Sequence, residues 1–311
     1  MSSISASTCN HPCMLNIQPD PQTDKYRSCR LTLSYCRWEN PGAPKLMLVH
    51  GGKDHNRNWD RLAEALRADF DIAAPDLRGH GDSDWSADGC YYRSEFVTDI
   101  ANLADHLGWT NFAMVGHSLG ATVTSLYAAA LPEWVNKMVA IEGLVSPPWV
   151  LQQEVEQHPV VRLRNYIDET RKYADRTNRD FDNIQDAVAR MLEQNPHFTP
   201  QLAEHLTRHN LKPAENGGFT WKFDPMMNFR LRFDITREQQ KQILTAIRCP
   251  ALLLRGEESW AANPLEDGTA ACFTNARVHN IPAAGHWVHH DQPELVLALI
   301  REFLTEKPTE T

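Results

Sequence analysis

The most informative stretch of the chain is Val115-Gly116-His117-Ser118-Leu119-Gly120-Ala121. It lies between a short apolar run that begins at Phe112, which predicts a strand, and a segment of small residues that predicts a helix. A serine on the sharp turn between a strand and a helix has an exposed hydroxyl on strained backbone, and the flanking glycines let neighbouring chain pass close to it. The N–H groups of the helix N-terminus lie at the same point. This context predicts that Ser118 is a nucleophile, and the alternative is a glycine-rich turn without chemistry.

Length and composition set the class of protein. The 311-residue chain is long enough to bury a large core, and its 42% hydrophobic and 23% charged residues are ordinary for a globular protein. The formal net charge of −9 argues against a nucleic acid or an anionic membrane as a partner. The first sixteen residues lack an apolar run, and the late run from Leu295 to Ile300 is too short to cross a bilayer. The sequence therefore predicts no membrane association and a cytoplasmic location.

Seven cysteines are scattered along the chain, and their odd number favours free or buried thiols over a disulfide framework. Only Cys9-Asn10-His11-Pro12-Cys13 has a spacing that suggests metal ligands, and no second pair of ligands follows at a useful distance. We therefore expect no metal site and no organic cofactor.

The chain divides by pattern into four segments. The first 25 residues, with three prolines, predict a loose leader. Strand-like and helix-like runs then alternate over residues 26–145 and again over 246–311, which predicts a parallel sheet covered by helices on both faces. Between these two parts, residues 146–245 are rich in charge and helical in pattern. They predict a helical cap over the ends of the strands.

A serine nucleophile needs a base within hydrogen-bond reach, and His286 is the preferred candidate. It follows the last predicted strand, and Gly285 permits a tight loop that would bring the imidazole over the end of the sheet. His289 and His290 are rivals, although the sequence around them is typical of the approach to the final helix. We therefore expect His286 to take the proton of the nucleophile.

Acyl transfer also needs donors for the oxyanion that develops on the substrate. The predicted donors are the backbone N–H of Leu119, directly after the nucleophile, and that of Gly52, in the loop after an early strand. Losing one such donor typically costs about 3–4 kcal/mol of transition-state stabilisation. The alternative for the stretch His50-Gly51-Gly52 is a plain turn.

Four motifs together resemble the α/β-hydrolase fold family. They are His50-Gly51-Gly52, Asp76-Leu77-Arg78-Gly79-His80-Gly81-Asp82-Ser83, Gly116-His117-Ser118-Leu119-Gly120 and Gly285-His286, in the order and spacing of the family. The resemblance covers about residues 31–304. It implies an eight-stranded, mostly parallel sheet with a helical cap inserted after strand six. It also implies that the second motif shapes the loop near the nucleophile, with its charged residues in structural pairs more often than in catalysis.

One departure from the family pattern concerns the acid that orients the base. The usual aspartate follows the seventh strand in a G-x-x-D pattern, but this chain has Gly256-Glu257-Glu258-Ser259, and a serine cannot stabilise an imidazolium as a carboxylate does. Glu142, which directly follows the strand predicted over residues 137–141, is the leading substitute. Its position resembles that of the acid in the haloalkane-dehalogenase-like branch and in some lactone hydrolases. Glu257, Glu258 and Asp267 remain alternatives.

These features predict a serine hydrolase, similar to carboxylesterases, that cleaves a carboxylic ester or lactone through an acyl-enzyme. Epoxide hydrolases and haloalkane dehalogenases of this fold need an aspartate at the position of Ser118, so their reactions are not expected. Trp260 and His117 are the candidates for contact with the substrate. The alternatives on the same scaffold are a C–C bond hydrolase, a thioesterase and a cofactor-free oxygenase, and a non-catalytic ligand-binding receptor is the alternative of another class. The expected partner is a small molecule, and association into a homo-oligomer is left open.

Overall fold

A twisted sheet of eight strands forms the centre of the molecule, with the strand order β1-β2-β4-β3-β5-β6-β10-β11. The computed structural model describes residues 20–145, 158–228 and 236–307. The strands of these residues are β1 (Gln22–Ser28), β2 (Leu31–Trp38), β3 (Lys45–Val49), β4 (Asp71–Pro75), β5 (Phe112–His117), β6 (Val135–Ile141), β7 (Asp180–Phe181), β8 (Leu211–Pro213), β9 (Phe219–Trp221), β10 (Ala251–Gly256) and β11 (Ala276–Ile281). In the central sheet, β2 pairs with β1 and β4 in antiparallel fashion, and the other neighbouring strands are parallel.

Helices cover both faces of this sheet, because parallel strands that are buried on both sides need apolar cover. The helices of the described residues are α1 (Asp60–Leu66), α2 (Arg93–Leu107), α3 (Leu119–Ala130), α4 (Pro159–Ala174), α5 (Ile184–Gln194), α6 (Pro200–Asn210), α7 (Arg237–Leu244), α8 (Val288–Asp291) and α9 (Pro293–Thr305). Apolar side chains of α2, α3 and α7 fill the core on one face, and those of α1 and α9 fill the core on the other. The predicted eight-stranded, mostly parallel fold is confirmed.

The N-terminal boundary differs from the prediction. The loose leader was expected to extend through residue 25, but β1 begins at Gln22 and pairs with β2 along its whole length. Tyr26 supplies the reason, because its buried side chain anchors the strand to the core. The prediction for residues 1–19 lies outside the described residues.

The segment between β6 and β10 is less purely helical than predicted. It contains α4, α5 and α6, but also a small antiparallel sheet with the order β7-β9-β8. We call the described part of this segment, residues 158–228, the insert. The insert has an apolar cluster of its own around Phe181 and Trp221. The predicted residues 146–157 and 229–235 lie outside the described residues.

The C-terminal boundary of the predicted cap is also wrong. The prediction assigned residues up to 245 to the cap, but α7 packs on the core helix α3. Leu244 is buried in the same apolar cluster as Tyr127 of α3. Helix α7 therefore belongs to the layers around the sheet, since its apolar side faces the core.

Two predictions about the rest of the chain can be compared with the structure. Among the described residues, no helix has the length and apolar character needed to span a bilayer. The five cysteines that the structure describes are all free thiols, as the odd count predicts.

A close backbone approach fixes α3 against the sheet. A Cβ atom at Gly120 would lie 2.0 Å from the carbonyl oxygen of Val49 and 2.6 Å from that of His50. Backbone atoms cannot move aside as a side chain can, so only glycine fits at this position. The approach brings the first turn of α3 next to the loop that follows β3.

We expect Gly120→Ala to lower the free energy of unfolding by at least about 2 kcal/mol, because the added methyl must push two strands and a helix apart. Urea denaturation of the purified protein measures this change. Ala130→Ser, at the exposed end of the same helix, should change the stability by less than about 0.5 kcal/mol. Equal stability of the glycine variant and the wild type would contradict the proposed constraint.

Candidate active site

Ser118 lies on a strained turn between β5 and α3. Its φ of 53° and ψ of −114° are unusual for a residue with a side chain, and such strain costs on the order of 1–3 kcal/mol. The backbone N–H of Ser118 donates to the carbonyl oxygen of Ile141 at 2.9 Å, which holds the turn to the end of β6. The geometry agrees with the exposed, strained serine that the sequence predicts.

The imidazole of His286 lies against this hydroxyl. Its Nε2 atom is 2.9 Å from Ser118 Oγ, so the serine can donate its proton to the ring. The loop after β11 is held from both sides, because Gly285 N–H donates to Asp291 at 2.8 Å and His117 Nε2–H donates to the His286 carbonyl at 2.9 Å. The two residues that are far apart in the sequence therefore meet at the carboxyl ends of the strands.

The carboxylate of Glu142 lies on the other side of the imidazole. Glu142 Oε2 is 3.3 Å from His286 Nδ1, and the glutamate side chain is fully buried. The backbone of Glu142 has a φ of 60°, which turns the side chain out of the line of β6 toward the neighbouring strand. There the backbone N–H of Gly256 donates to Oε1 at 2.8 Å.

The other acidic candidates lie away from the imidazole. Glu258 is exposed and pairs with His197 at 3.4 Å. Asp267 pairs with the guanidinium of Arg237. Glu257 is exposed and has no contact with His286 among the described residues. Of the carboxylates considered from the sequence, only Glu142 lies beside His286.

Ser259 is a residue of this site that the sequence analysis missed. Its hydroxyl donates to Glu142 Oε2 at 2.7 Å and accepts the N–H of Ala261 at 3.1 Å. The sequence showed a serine at the position of the usual acid, and it was interpreted only as the loss of a carboxylate. The signal that could have found its role is a hydroxyl at that position together with a carboxylate at the end of a nearby strand.

The candidates for substrate contact separate into one buried and one exposed residue. His117 is buried, and burial together with the neighbouring imidazole of His286 holds its pKa well below the usual value. The expectation that His117 contacts the substrate is therefore wrong, because its ring lies beneath the His286 loop as a neutral donor. Trp260 is 58% exposed, and its ring centre lies 4.7 Å from that of His286.

The rival histidines do not reach the nucleophile. His289 is buried, and its Nε2–H donates to Asn58 at 2.7 Å. His290 packs its ring on Trp287. Both lie on α8, directly behind the loop that carries His286.

An open cavity of about 610 Å³ borders Ser118. Gly52 and Leu119, the predicted oxyanion donors, line it together with Tyr173, Arg176 and Met227. Tyr173 lies at the end of α4, so the insert forms part of the wall. The cavity therefore gives a small molecule access to the serine hydroxyl from the side of both predicted donors.

Comparison with known proteins identifies the family. A family model with the description alpha/beta hydrolase fold matches residues 44–293. The chain belongs to the alpha/beta hydrolase fold family. The matched span includes Ser118, Glu142 and His286.

Relatives of this hydrolase resemble it along most of their length. A serine hydrolase-like protein of Danio rerio is 28% identical over 281 residues, which cover 87% of this chain and 84% of the relative. Epoxide hydrolase 4 of Mus musculus is 24% identical over 318 residues, covering 97% and 85% of the two chains. Esterase Rv0045c of Mycobacterium tuberculosis is 25% identical over 294 residues, covering 92% and 90%. A solved structure of that esterase aligns with a TM-score of 0.71 over 93% of each chain, at 24% identity, and shows the same fold.

In this alpha/beta hydrolase, the loop that carries Gly52 is tied to the loop after β4. His50 Nε2 accepts the N–H of Leu77 at 3.0 Å, and its Nδ1–H donates to the Gly51 carbonyl at 2.6 Å. Burial and the imidazole of His80 hold the pKa of His50 well below its usual value, so the ring stays neutral and keeps both bonds. The Gly52 loop is therefore fixed by its neighbours before any ligand arrives.

The charged residues of the loop after β4 make structural contacts. Asp76 accepts the backbone N–H groups of Asn56 at 2.7 Å and Asp82 at 2.9 Å. Arg78 forms two bonds of 2.7 Å with the buried carboxylate of Asp99. These contacts agree with the structural pairs that the family resemblance implies.

A buried carboxyl group lies in the Gly52 loop itself. Asp54 is 3% exposed and contacts the side-chain amide of Asn58, whose oxygen accepts from His289. Burial raises the pKa of Asp54 to about 8, since no cation compensates the charged form. A carboxyl with a raised pKa binds its proton more tightly in the folded state, so its contribution to stability is lost as the pH rises toward that value.

We expect the free energy of unfolding to fall by roughly 1–2 kcal/mol between pH 6 and pH 8, because unfolding releases this proton. Asp54→Asn, which cannot ionise, should remove most of that fall. Asp182→Asn, at an exposed site of the insert, should keep the fall of the wild type. Urea denaturation at both pH values measures it, and parallel curves for Asp54→Asn and the wild type would refute the assignment.

Proposed function

We propose that this hydrolase cleaves a carboxylic ester or lactone through an acyl-enzyme formed on Ser118. The observation that carries the proposal is the continuous contact from Ser118 Oγ to His286 Nε2 and from His286 Nδ1 to the buried Glu142. A hydroxyl, a base and an orienting carboxylate in this order can activate a serine at neutral pH. The similarity to a mycobacterial esterase and to serine hydrolase-like proteins supports the same class of reaction.

In the first half of the proposed reaction, Ser118 Oγ attacks the carbonyl carbon while His286 Nε2 takes its proton. Glu142 stabilises the imidazolium, and the N–H groups of Leu119 and Gly52 donate to the oxyanion. When the tetrahedral intermediate collapses, His286 gives the proton to the departing alcohol. In the second half, His286 takes a proton from water, which attacks the acyl-enzyme, and the proton returns to Ser118 as the acid leaves.

The chemistry of serine favours an acyl group over an epoxide or an alkyl halide. Attack of Ser118 on an alkyl carbon would produce an ether, which water cannot cleave under these conditions. Attack on a carbonyl produces an ester, which the same base can hydrolyse. Sequence similarity to epoxide hydrolase 4 therefore does not transfer the reaction that its name states.

The surroundings of Ser118 support a small substrate with an apolar part. The open cavity of about 610 Å³ lies beside the hydroxyl. The exposed ring of Trp260 lies next to His286 and offers an apolar wall where the acyl or alcohol group would bind.

We expect Ser118→Ala to abolish the hydrolysis of p-nitrophenyl butyrate, because no covalent intermediate can form. A fluorophosphonate probe should label the wild type stoichiometrically and should not label this variant. The circular dichroism and melting temperature of the variant serve as the folding control. Hydrolysis by a folded Ser118→Ala protein would reject the acyl-enzyme, and ligand binding without labelling of the wild type would favour a receptor.

We expect Glu142→Gln to lower kcat by about 10²- to 10⁴-fold, because the imidazolium loses its counter-charge and the preferred tautomer. Glu258→Gln, a carboxylate on the next loop that points to His197, is the matched control and should retain wild-type kcat. A kcat loss in the control instead would reassign the acid.

The double variant Glu142→Gln, Ser259→Asp sharpens this test. It returns a carboxylate to the position where the family usually has one, with the amide of the new glutamine as a hydrogen-bond donor beside it. We expect the double variant to recover kcat at least about tenfold over Glu142→Gln. If the double variant is folded and no faster, position 259 cannot serve the imidazole and the geometric account of the acid is wrong.

A further inference from the structure

A second group of chemically active side chains lies where the insert meets the core, on the opposite side of the Gly52 loop from Ser118. It consists of Asp60, the first residue of α1, and of His205 and His209 on α6. The two histidines are four residues apart, so they project from the same face of the helix. All three side chains are partly buried, and one ligand atom from each lies within 4.8 Å of the others.

These distances approach those of a metal-ligand set. With metal–ligand bonds near 2.0–2.1 Å, tetrahedral ligand atoms are about 3.3 Å apart. His205 Nε2 and Asp60 Oδ2 are already 3.1 Å apart. The remaining separations need to shrink by at most about 1.5 Å, which side-chain rotations can supply. Two imidazoles and a carboxylate with an open fourth position are a typical donor set for zinc and for other first-row transition metals.

An ion pair is the competing explanation for this cluster. Arg57 Nε donates to both oxygens of Asp60, at 2.9 and 2.8 Å, and His205 Nε2–H is 3.3 Å from the Arg57 carbonyl. A carboxylate has lone pairs for more than one partner, so Asp60 can bind a metal while it keeps Arg57. The guanidinium charge next to the site lowers the affinity for a cation. We therefore expect a micromolar site and not the much tighter binding of a four-ligand structural zinc site.

We propose that Asp60, His205 and His209 form a transition-metal site that joins the insert to the core. The same helix already makes two contacts with the loop that carries Gly52. His55 Nε2–H donates to the Leu206 carbonyl at 2.9 Å, and the Asn210 amide donates to the Lys53 carbonyl at 3.0 Å. A metal at this point ties α6 to α1 beside those contacts, and so holds one wall of the substrate cavity in place. The proposal replaces the expectation of no metal site.

The experiment titrates the full-length protein with Co²⁺, whose visible absorption reports the donor atoms. We expect one site with a micromolar Kd, tetrahedral or five-coordinate absorption bands and no thiolate-to-cobalt band in the near ultraviolet. The double variant His205→Gln, His209→Gln should lose this site, with at least about a hundredfold rise in Kd, and Asp60→Asn should weaken it. His279→Gln, on β11 and outside the cluster, is the matched control and should keep wild-type binding.

Thermal unfolding provides a second readout that does not depend on turnover. Saturating Zn²⁺ should raise the melting temperature of the wild type and the His279 control by a few degrees, because the metal binds only the folded site. The double histidine variant should melt as the metal-free wild type does, with or without Zn²⁺. Stoichiometric Co²⁺ binding that survives in the folded double variant, or a thiolate band that marks the cysteines, would overturn the proposal. So would the absence of any micromolar site in the wild type.

Discussion

The buried carboxylate of Glu142 is the contact on which the arrangement of the site depends. A carboxylate without solvent is costly unless donors satisfy its oxygens, and here three separate parts of the chain supply them. The backbone of Gly256 and the hydroxyl of Ser259 come from the end of β10, and the imidazole of His286 comes from the loop after β11. Each partner lowers the cost of the buried charge, and in return the charge fixes the positions of the partners. The imidazole is thereby oriented before a substrate binds.

The backbone around the nucleophile is constrained to match. Ser118 and Glu142 both have positive φ angles, and the two turns lie next to each other. A Cβ atom at Gly143 would lie 2.4 Å from the Ser118 carbonyl oxygen, so the residue after the proposed acid must be glycine for the two strand ends to approach. Two strained turns that only one packing arrangement can hold are typical of sites where geometry is more important than local stability. The strain therefore agrees with a functional role for both residues.

The sequence could predict the features that depend on local order along the chain. The glycines around Ser118 and the single glycine before His286 predict sharp turns, and the turns place both side chains at the same edge of the sheet. Glu142 could be proposed because it ends a strand that neighbours β5. Ser259 could not, since its role as a donor depends on the distance between the ends of β6 and β10. The metal cluster was hidden for the same reason, because Asp60 and the α6 histidines come from parts of the sequence that only the fold brings together.

The predicted cap shows where local patterns lose their power. Strands of two or three residues, such as β7 and β8, are too short to show an alternating pattern, so the small sheet left no signal in the sequence. The amphipathic pattern of α7 predicts a helix but does not say which layer it packs against. Its assignment to the core required the contact of Leu244 with the cluster around α3. Boundaries of an insertion are therefore set by packing, which the periodicity of one segment cannot reveal.

The sheet order explains why a glutamate and a serine can together take the place of one aspartate. Strand β10 lies between β6 and β11, so an acid at the end of β10 is directly beside the strand that leads to His286. An acid at the end of β6 is one strand further away, and neighbouring strands are about 4.8 Å apart. The extra methylene of Glu142 and the positive φ at its backbone recover part of that distance. The position left on β10 then needs a small donor, because a second carboxylate there would repel the first, and Ser259 supplies a hydroxyl at 2.7 Å.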